Sequence, residues 1–319
     1  MPEAPPPWQV DHTIVAALPI EVAERGPWAA SPPREDRRVA EAMPGDTIRP
    51  APFVVGPDGP VAIERPRYFL CDPQRCVSEV GAPGGVRDCD DEEPLPPESA
   101  CELRGGQLRL GELTALLQTS AIFMVAGTPE GPSSSACVRR LRGEDGDSES
   151  LRACLLRVEF LQLGPTWRLL LYAALRGLPD AVPLDAITPD VTAADPNLYP
   201  GEPPLEVRVS ESGEPPRTQM AARGDTVEVR RGAYVEVVAD VDPDDAQLYW
   251  FVGGGAEFSS TNESLTIGWL FSEYVEWVAP DLLTVAWQVP DRPGPLYVYA
   301  LLGDGTVITP TWLRFEVTR

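Results

Sequence analysis

The sequence lacks the residues on which most catalytic sites depend. It contains no lysine, and its one histidine, His12, lies in a proline-rich stretch. A nucleophilic triad needs a base that titrates near neutral pH. The motifs Gly-x-Ser-x-Gly, His-Glu-x-x-His, the P-loop and Gly-x-Gly-x-x-Gly after a strand are also missing. These absences exclude histidine-dependent catalysis, and we expect the protein not to be an enzyme. A carboxylate pair for glycoside hydrolysis stays open, because such a pair is defined by its separation in space.

Long apolar runs and excess positive charge are absent as well. The longest notable apolar run, LLLYAAL at 169–175, is far shorter than the roughly 18 residues that span a bilayer. All 26 basic residues are arginine, and 49 acidic residues leave a formal charge of −23. A field of that sign repels nucleic-acid phosphates and anionic lipid headgroups. We expect no nucleic-acid partner, and membrane attachment only through a lipid anchor upstream of residue 1.

The cysteines are even in number and are the basis for predicting the compartment. They are Cys71, Cys76, Cys89, Cys101, Cys137 and Cys154. No Cys-x-x-Cys occurs, so a zinc site is left only as an all-cysteine arrangement, and disulfides in an oxidising compartment are the favoured interpretation. Six cysteines allow fifteen pairings. We expect Cys137 to pair with Cys154 and the other four to close the loop between Cys71 and Cys101.

The first residues, MPEAPPPWQV, have neither a basic region nor an apolar region of a signal peptide. Two interpretations follow: a signal was removed upstream of this sequence, or the protein is cytosolic with free thiols. We favour the first and expect residues 1–12 to be a disordered, proline-rich leader. The predicted location is the bacterial cell envelope, as a periplasmic or surface lipoprotein, or the secreted fraction. An arginine-only composition is typical of a GC-rich genome.

Proline content and periodicity predict a mainly β chain. The 37 prolines exclude long helical bundles, because proline fixes φ and has no N–H. In the first part, strands are predicted at 14–22, 47–55, 67–71, 107–117 and 121–127. Two short helices are predicted at SSSACVRRLRG and DSESLRACLL, which carry Cys137 and Cys154, with Asp147 as an N-cap. Residues 167–175 fit a helix or a buried strand.

The second part alternates more strictly. Strands are predicted at 205–210, 226–232, 234–241, 248–252, 265–271, 282–289, 296–302 and 306–317, which is the spacing of a β-sandwich. Seven prolines between 179 and 204 indicate a linker. The predicted domains are the leader 1–12, a decorated β-sandwich at 13–192, a linker at 193–204 and a second β-sandwich at 205–319.

An acidic turn is the main candidate metal site. Asp240, Asp242 and Asp244 have the 1, 3, 5 spacing of a calcium loop, but Asp245 stands where an EF-hand needs glycine and Phe251 where it needs glutamate. An EF-hand is therefore excluded, and a looser calcium site that includes these four aspartates remains a hypothesis. The alternative is a plain turn in which the aspartates cap local N–H groups. The acids at 90–93 raise the same question of calcium or a solvated loop.

Aromatic residues in the second part raise the question of sugar binding. Tryptophans occur at Trp250, Trp269, Trp277, Trp287 and Trp312. Exposed coplanar rings on a sheet face bind sugars, whereas rings within alternating apolar strands usually fill a core. The second interpretation is the default, so a glycan partner is the alternative.

Two stretches resemble a known domain family. VEVVADVDPDDAQLYWFVGGG, residues 235–255, and VAWQVPDRPGPLYVYALLGDGTVI, residues 285–308, are similar to the PKD-like, immunoglobulin-like β-sandwich of bacterial envelope proteins. The family has an acidic turn between two strands, a following Trp and a Gly/Asp hairpin; three glycines at 253–255 replace its Gly-Asp-Gly. The first part, with GDT at 45–47, a PDG turn and RYFLC, is similar to a decorated copy with a Cys-rich loop and short helices.

The resemblance implies a non-catalytic role in adhesion, protein–protein interaction or envelope assembly, with other envelope proteins as partners. The alternative is a secreted carbohydrate-binding or hydrolase-accessory module.

Overall fold

The structure is a computed structural model. It describes residues 9–26, 42, 45–84, 86–89, 100–110, 120–144, 151, 153–161, 201–241, 247–253, 264–270, 273–278, 283–303 and 308–319. These residues are mainly β. No helix within these ranges has the length and apolar character needed to cross a membrane.

The strands of the first part of the chain are short. In chain order, β1 to β12 are Gln9–Val10, Ile14–Ala17, Ile20–Glu24, Thr47–Pro50, Phe53–Gly56, Gly59–Pro60, Arg67–Cys71, Arg87–Asp88, Cys101–Glu102, Leu108–Arg109, Ala121–Gly127 and Cys154–Phe160. The described residues of this part also form two α-helices, α1 at Cys76–Val80 and α2 at Ser134–Leu141. A 3₁₀ turn covers Arg104–Gly106.

The strands of the second part are longer. In chain order, β13 to β22 are Leu205–Ser210, Arg217–Ala221, Thr226–Arg230, Tyr234–Ala239, Gln247–Gly253, Ser264–Leu270, Glu273–Val278, Thr284–Gln288, Gly294–Gly303 and Ile308–Thr318. β18 and β19 form a two-stranded sheet of their own.

The chain divides into two compact units that are not contiguous in sequence. Unit 1 comprises residues 1–17, 53–61 and 200–319, and unit 2 comprises 18–52 and 62–199. The domain limits expected from the sequence stay a prediction. The units differ from them in one respect: residues 13–17 and 53–61 group with the C-terminal part of the chain.

Unit 1 contains two sheets around a shared core. Sheet I has the strand order β14-β13-β16-β20, and sheet II has the order β1-β17-β21-β22-β15. Period-2 alternation explains the arrangement, since β13 and β16 send every second side chain inward. Trp287 of sheet I is fully buried and meets Phe315 of sheet II edge to face, with ring centroids 5.0 Å apart. This is the packing of a β-sandwich.

A third layer covers the other face of sheet II. The small sheet β2-β5-β6 contributes Ala17, Phe53 and Val55 to a second core, which also contains Tyr299 and Leu301 of β21. The Tyr299 hydroxyl donates a hydrogen bond of 2.8 Å to the Gly56 carbonyl. Burial on both faces explains why β21 is apolar at nearly every position instead of alternating.

Close backbone contact with this layer also explains the first of the three glycines at 253–255. A Cβ atom on Gly253 would lie 2.8 Å from the Pro57 carbonyl oxygen, so only glycine fits where β17 meets the turn after β5. β1 adds to the same edge, because Gln9 and Val10 pair in parallel with Val252 and Gly253. The expectation that residues 1–12 are a disordered leader is therefore wrong for Gln9 and Val10; residues 1–8 lie outside the described ranges.

Unit 2 contains a five-stranded sheet, β12-β11-β7-β9-β8, and a three-stranded sheet, β10-β4-β3. β11 is buried along all seven residues and pairs with β7 and β12 on either side. Helices α1 and α2 belong to a core with Phe69, Phe123 and Val125 of the five-stranded sheet. The Ser133 hydroxyl accepts the Ala136 N–H at 3.3 Å and so caps the N-terminus of α2.

Several predictions about unit 2 are wrong. The helix expected from DSESLRACLL is absent at its C-terminal end, because Cys154–Phe160 is a strand that pairs with β11 over seven residues. The loop expected between Cys71 and Cys101 contains α1 and the short strand β8, and Cys101 begins β9. The alternatives for 167–175, the acids at 90–93 and most of the linker at 193–204 lie outside the described residues.

Candidate functional site

Unit 2 contains three disulfides, and each involves a residue in or next to the five-stranded sheet. Cys71 ends β7 and bonds to Cys76, the first residue of α1. Cys89 follows β8 and bonds to Cys101 of β9. The third bond joins Cys137 of α2 to Cys154, where β12 begins. Sulfur–sulfur distances are 2.01 Å, 2.04 Å and 2.02 Å, respectively.

The pairing agrees with the prediction for Cys137 and Cys154, and the other four cysteines pair among themselves, as expected. Each bond ties an element to the five-stranded sheet: α1 to β7, α2 to β12, and the chain after β8 to β9. Four of the six cysteines are at most 5 % exposed, and these are Cys71, Cys76, Cys101 and Cys137. The cysteines are therefore structural, and three disulfides fit an extracytoplasmic protein.

The acidic turn of unit 1 begins where β16 ends. The backbone N–H of Asp240 donates to the Pro204 carbonyl oxygen at 3.1 Å, beside the Ala239 N–H, which donates to the Leu283 carbonyl at 2.6 Å. Asp242, Asp244 and Asp245 lie outside the described residues, so the calcium hypothesis stays a prediction. Among the residues that are described, no group of three or more His, Cys, Asp or Glu side chains could hold a metal ion.

The outer face of sheet I carries charges that pair with one another. On β13, the Arg208 guanidinium donates to Glu206 at 2.5 Å and to Glu236 of the neighbouring β16 at 3.1 Å. The hydrogen bond to Glu206, then that to Glu236, raises the pKa of Arg208. All three side chains reach solvent, so the group is a surface charge ladder with one pair along β13 and one cross-strand pair to β16.

A second ion-pair cluster lies at the end of sheet I where β13 turns into β14. Arg230 of β15 contacts Glu211 at 3.0 Å and Glu214 at 2.5 Å, and Arg217 contacts Glu211 at 3.5 Å. Arg217 also donates to the Glu228 carbonyl oxygen. These contacts join the β13–β14 turn to β15, so they position β14 at the margin of the sandwich.

Two of the five tryptophans in the second part of the chain fill the core. Trp250 is 3 % exposed and Trp287 is 0 % exposed, both within the core between sheets I and II. Trp312 packs against the second core of unit 1, and the rings of Trp269 and Trp277 lie outside the described residues. Trp250 and Trp287 therefore cannot present their ring faces to a sugar.

Strand β14, with the sequence RTQMA, was not predicted. Its first four residues, Arg217 to Met220, are all exposed, and Ala221 alone is buried. It carries no apolar alternation, because both of its faces lie in water at the edge of the sheet. Backbone pairing with β13 forms this strand, and backbone pairing leaves no pattern in the side chains.

Comparison with models of known protein families gives no match for this chain, and a search of curated proteins gives none.

Proposed function

We propose that this chain is a non-catalytic protein of the bacterial cell envelope or surface that acts in adhesion, protein–protein interaction or envelope assembly. The observation that carries the proposal is the outer face of sheet I. There the Glu206–Arg208–Glu236 ladder and the exposed ring of Tyr234 form a broad polar surface with one aromatic group. Solvent-reaching charges around an exposed tyrosine resemble the polar rim and aromatic enrichment of protein–protein interfaces.

The strand order supports an immunoglobulin-like assignment for unit 1. An immunoglobulin fold places its first, second and fifth strands in one sheet and its third, sixth and seventh in the other. If β13 is the first strand, then β16 and β20 are its sheet partners, and β17, β21 and β22 form the opposite sheet, as that scheme requires. β15 pairs in parallel with β22 and is the edge strand of sheet II on that side.

The location outside the cytoplasm is supported by the three disulfides. Bonds that persist in a folded domain need an oxidising compartment, and reduction would remove the covalent links of α1 and α2 to the sheet. Intact mass of protein purified from its native host tests this part of the proposal. Reduction should add the mass of six hydrogens, and free thiols before reduction would refute it.

The role in protein recognition is tested by capture from the native envelope. Three baits are compared: the unaltered chain, an Arg208→Ser/Tyr234→Ser variant of the outer face, and an Arg104→Ser control in unit 2, where the Arg104 side chain is 81 % exposed. A component held by the first and third baits and lost from the second supports the proposal. If all three baits capture the same components equally, or if no bait captures any component, the outer face of sheet I is not a protein-binding surface. Binding on a glycan array would favour the carbohydrate-binding alternative.

A further inference from the structure

Strand β14 is an open sheet edge. It is the last strand of sheet I and pairs with β13 in an unbroken antiparallel register from Leu205–Ala221 to Val209–Arg217. Exposure of four consecutive residues shows that neither face of the strand is covered. Met220 is 58 % exposed, which is the highest value among the large hydrophobic residues of the described ranges.

The usual protections of a sheet edge are missing within this strand. Proteins blunt such edges with proline, bulges, inward-pointing charge or a covering segment. β14 has no proline and no bulge between Arg217 and Ala221, and its single charge stands at one end, already paired with Glu211. On β20, at the other side of the same sheet, Ala286 points away from the core and is only 4 % exposed, so the outer face is covered at that position, unlike both faces of β14.

We propose that β14 pairs with β14 of a second copy of this chain, antiparallel about a two-fold axis at Gln219. This register sets Gln219 against Gln219 of the second copy and Thr218 against Met220 of the second copy. The two four-stranded sheets then form one continuous sheet, and the exposed Met220 is covered. The proposal is independent of the proposed function, because it needs no other envelope component.

Charge complementarity selects a second copy as the occupant. Glu206 and Arg208 lie on β13, the strand next to β14. There Glu206 is paired with Met220, and Arg208 is paired with Thr218. Across the proposed β14–β14 contact, one row of side chains on this face therefore contains Glu206, Met220, Thr218 of the second copy and Arg208 of the second copy. The two-fold axis generates the same row in reverse. Each row that crosses the β14–β14 contact on this face therefore has Glu206 of one copy at one end and Arg208 of the other copy at the other end. No like charges oppose each other.

The net charge of −23 on each copy opposes association at long range. Salt screens that repulsion, with a Debye length of about 8 Å at physiological ionic strength. Pairing of two copies therefore strengthens as salt rises. A basic partner strand at the same edge shows the opposite salt dependence, since salt weakens attraction between opposite charges.

Sedimentation of the full chain at low and high salt, together with cross-linking, tests the proposal. Directly opposed residues of antiparallel strands have Cα atoms roughly 4.5 to 5.5 Å apart, which lies within disulfide range. All six native cysteines are bonded, so a Gln219→Cys variant carries the one free thiol. We expect it to form covalent dimers on mild oxidation at least tenfold faster than Gln288→Cys, the control on β20.

A Gln219→Glu variant places two carboxylates opposite each other and should weaken dimerisation roughly tenfold. Because Gln219 is exposed, circular dichroism should show an unchanged fold. Salt-strengthened dimers that Gln219→Glu disrupts support the proposal. A monomer at every concentration, equal cross-linking of the two cysteine variants, or association weakened by salt would overturn it. Association with a different polypeptide in place of a second copy would overturn it as well.

Discussion

Burial of Tyr68 lowers the stability of the folded chain at alkaline pH, and a single substitution isolates its contribution from that of the other buried tyrosines. The chain has no lysine, and its six cysteines are bonded, so tyrosine phenols are the side chains that titrate between about pH 9 and 12. Tyr68 lies on β7 and is 6 % exposed. Burial disfavours the phenolate and raises the pKa of Tyr68 from 10.0 to about 12.

The direction of the effect follows from linkage. A phenol that holds its proton more tightly in the folded state does not reduce the free energy of unfolding at pH values below its unfolded pKa of 10.0. As pH rises from 10 to 12, the unfolded chain releases the proton while the folded chain keeps it, so stability falls. At about pH 11, one unit above the unfolded value, the loss due to Tyr68 is about 1.4 kcal/mol.

Urea unfolding followed by circular dichroism at pH 8 and pH 11 measures this loss. A Tyr68→Phe variant should lose about 1.4 kcal/mol less than the unaltered chain between the two pH values. Tyr234→Phe is the matched control, because its ring is 47 % exposed, and it should lose as much as the unaltered chain. If Tyr68→Phe loses as much as the control, the burial argument for Tyr68 is refuted.

Two further predictions concern stability at neutral pH. The double variant Cys137→Ser/Cys154→Ser opens a disulfide of sequence separation 17 and should cost about 3 kcal/mol in thermal unfolding, a loss that an unchanged melting temperature would contradict. Gly59 has φ +124°, and a Cβ there would lie 3.0 Å from the Tyr297 ring, so Gly59→Ala should cost about 1 to 3 kcal/mol. Gly213→Ala is its control in urea unfolding, since φ is +83° there but nothing lies within 4 Å; equal losses would remove the steric argument.

Strand predictions succeeded where side-chain alternation reports burial directly. LEVRVS and TVEVR have one face in a core and one in water, and their strands appear at Leu205–Ser210 and Thr226–Arg230. The Cys137–Cys154 bond was also predicted. The helix expected at DSESLRACLL is wrong at its C-terminal end for a physical reason: the capping signal at Asp147 is local, whereas seven residue pairs between β11 and β12 hold residues 154–160 extended.

The candidate surface was less predictable than the fold. Glu206, Arg208 and Glu236 alternate with apolar residues, so their outward direction follows from the sequence, but their pairing depends on which strands are neighbours. β14 escaped prediction altogether, because a strand held by backbone hydrogen bonds at an edge needs no apolar residues. The acidic turn pointed to Asp240, which the structure places at the end of β16.

The sequence by itself determined the mainly β class, the oxidised cysteines and the inward faces of the long strands. Each of these follows from composition or from a period of two residues, which are local properties of the chain. Only the tertiary structure decided that residues 9–17 and 53–61 join the C-terminal part of the chain, and that β14 forms an open edge. Sheet neighbours are chosen by backbone pairing between distant segments, and that choice leaves no mark in local periodicity.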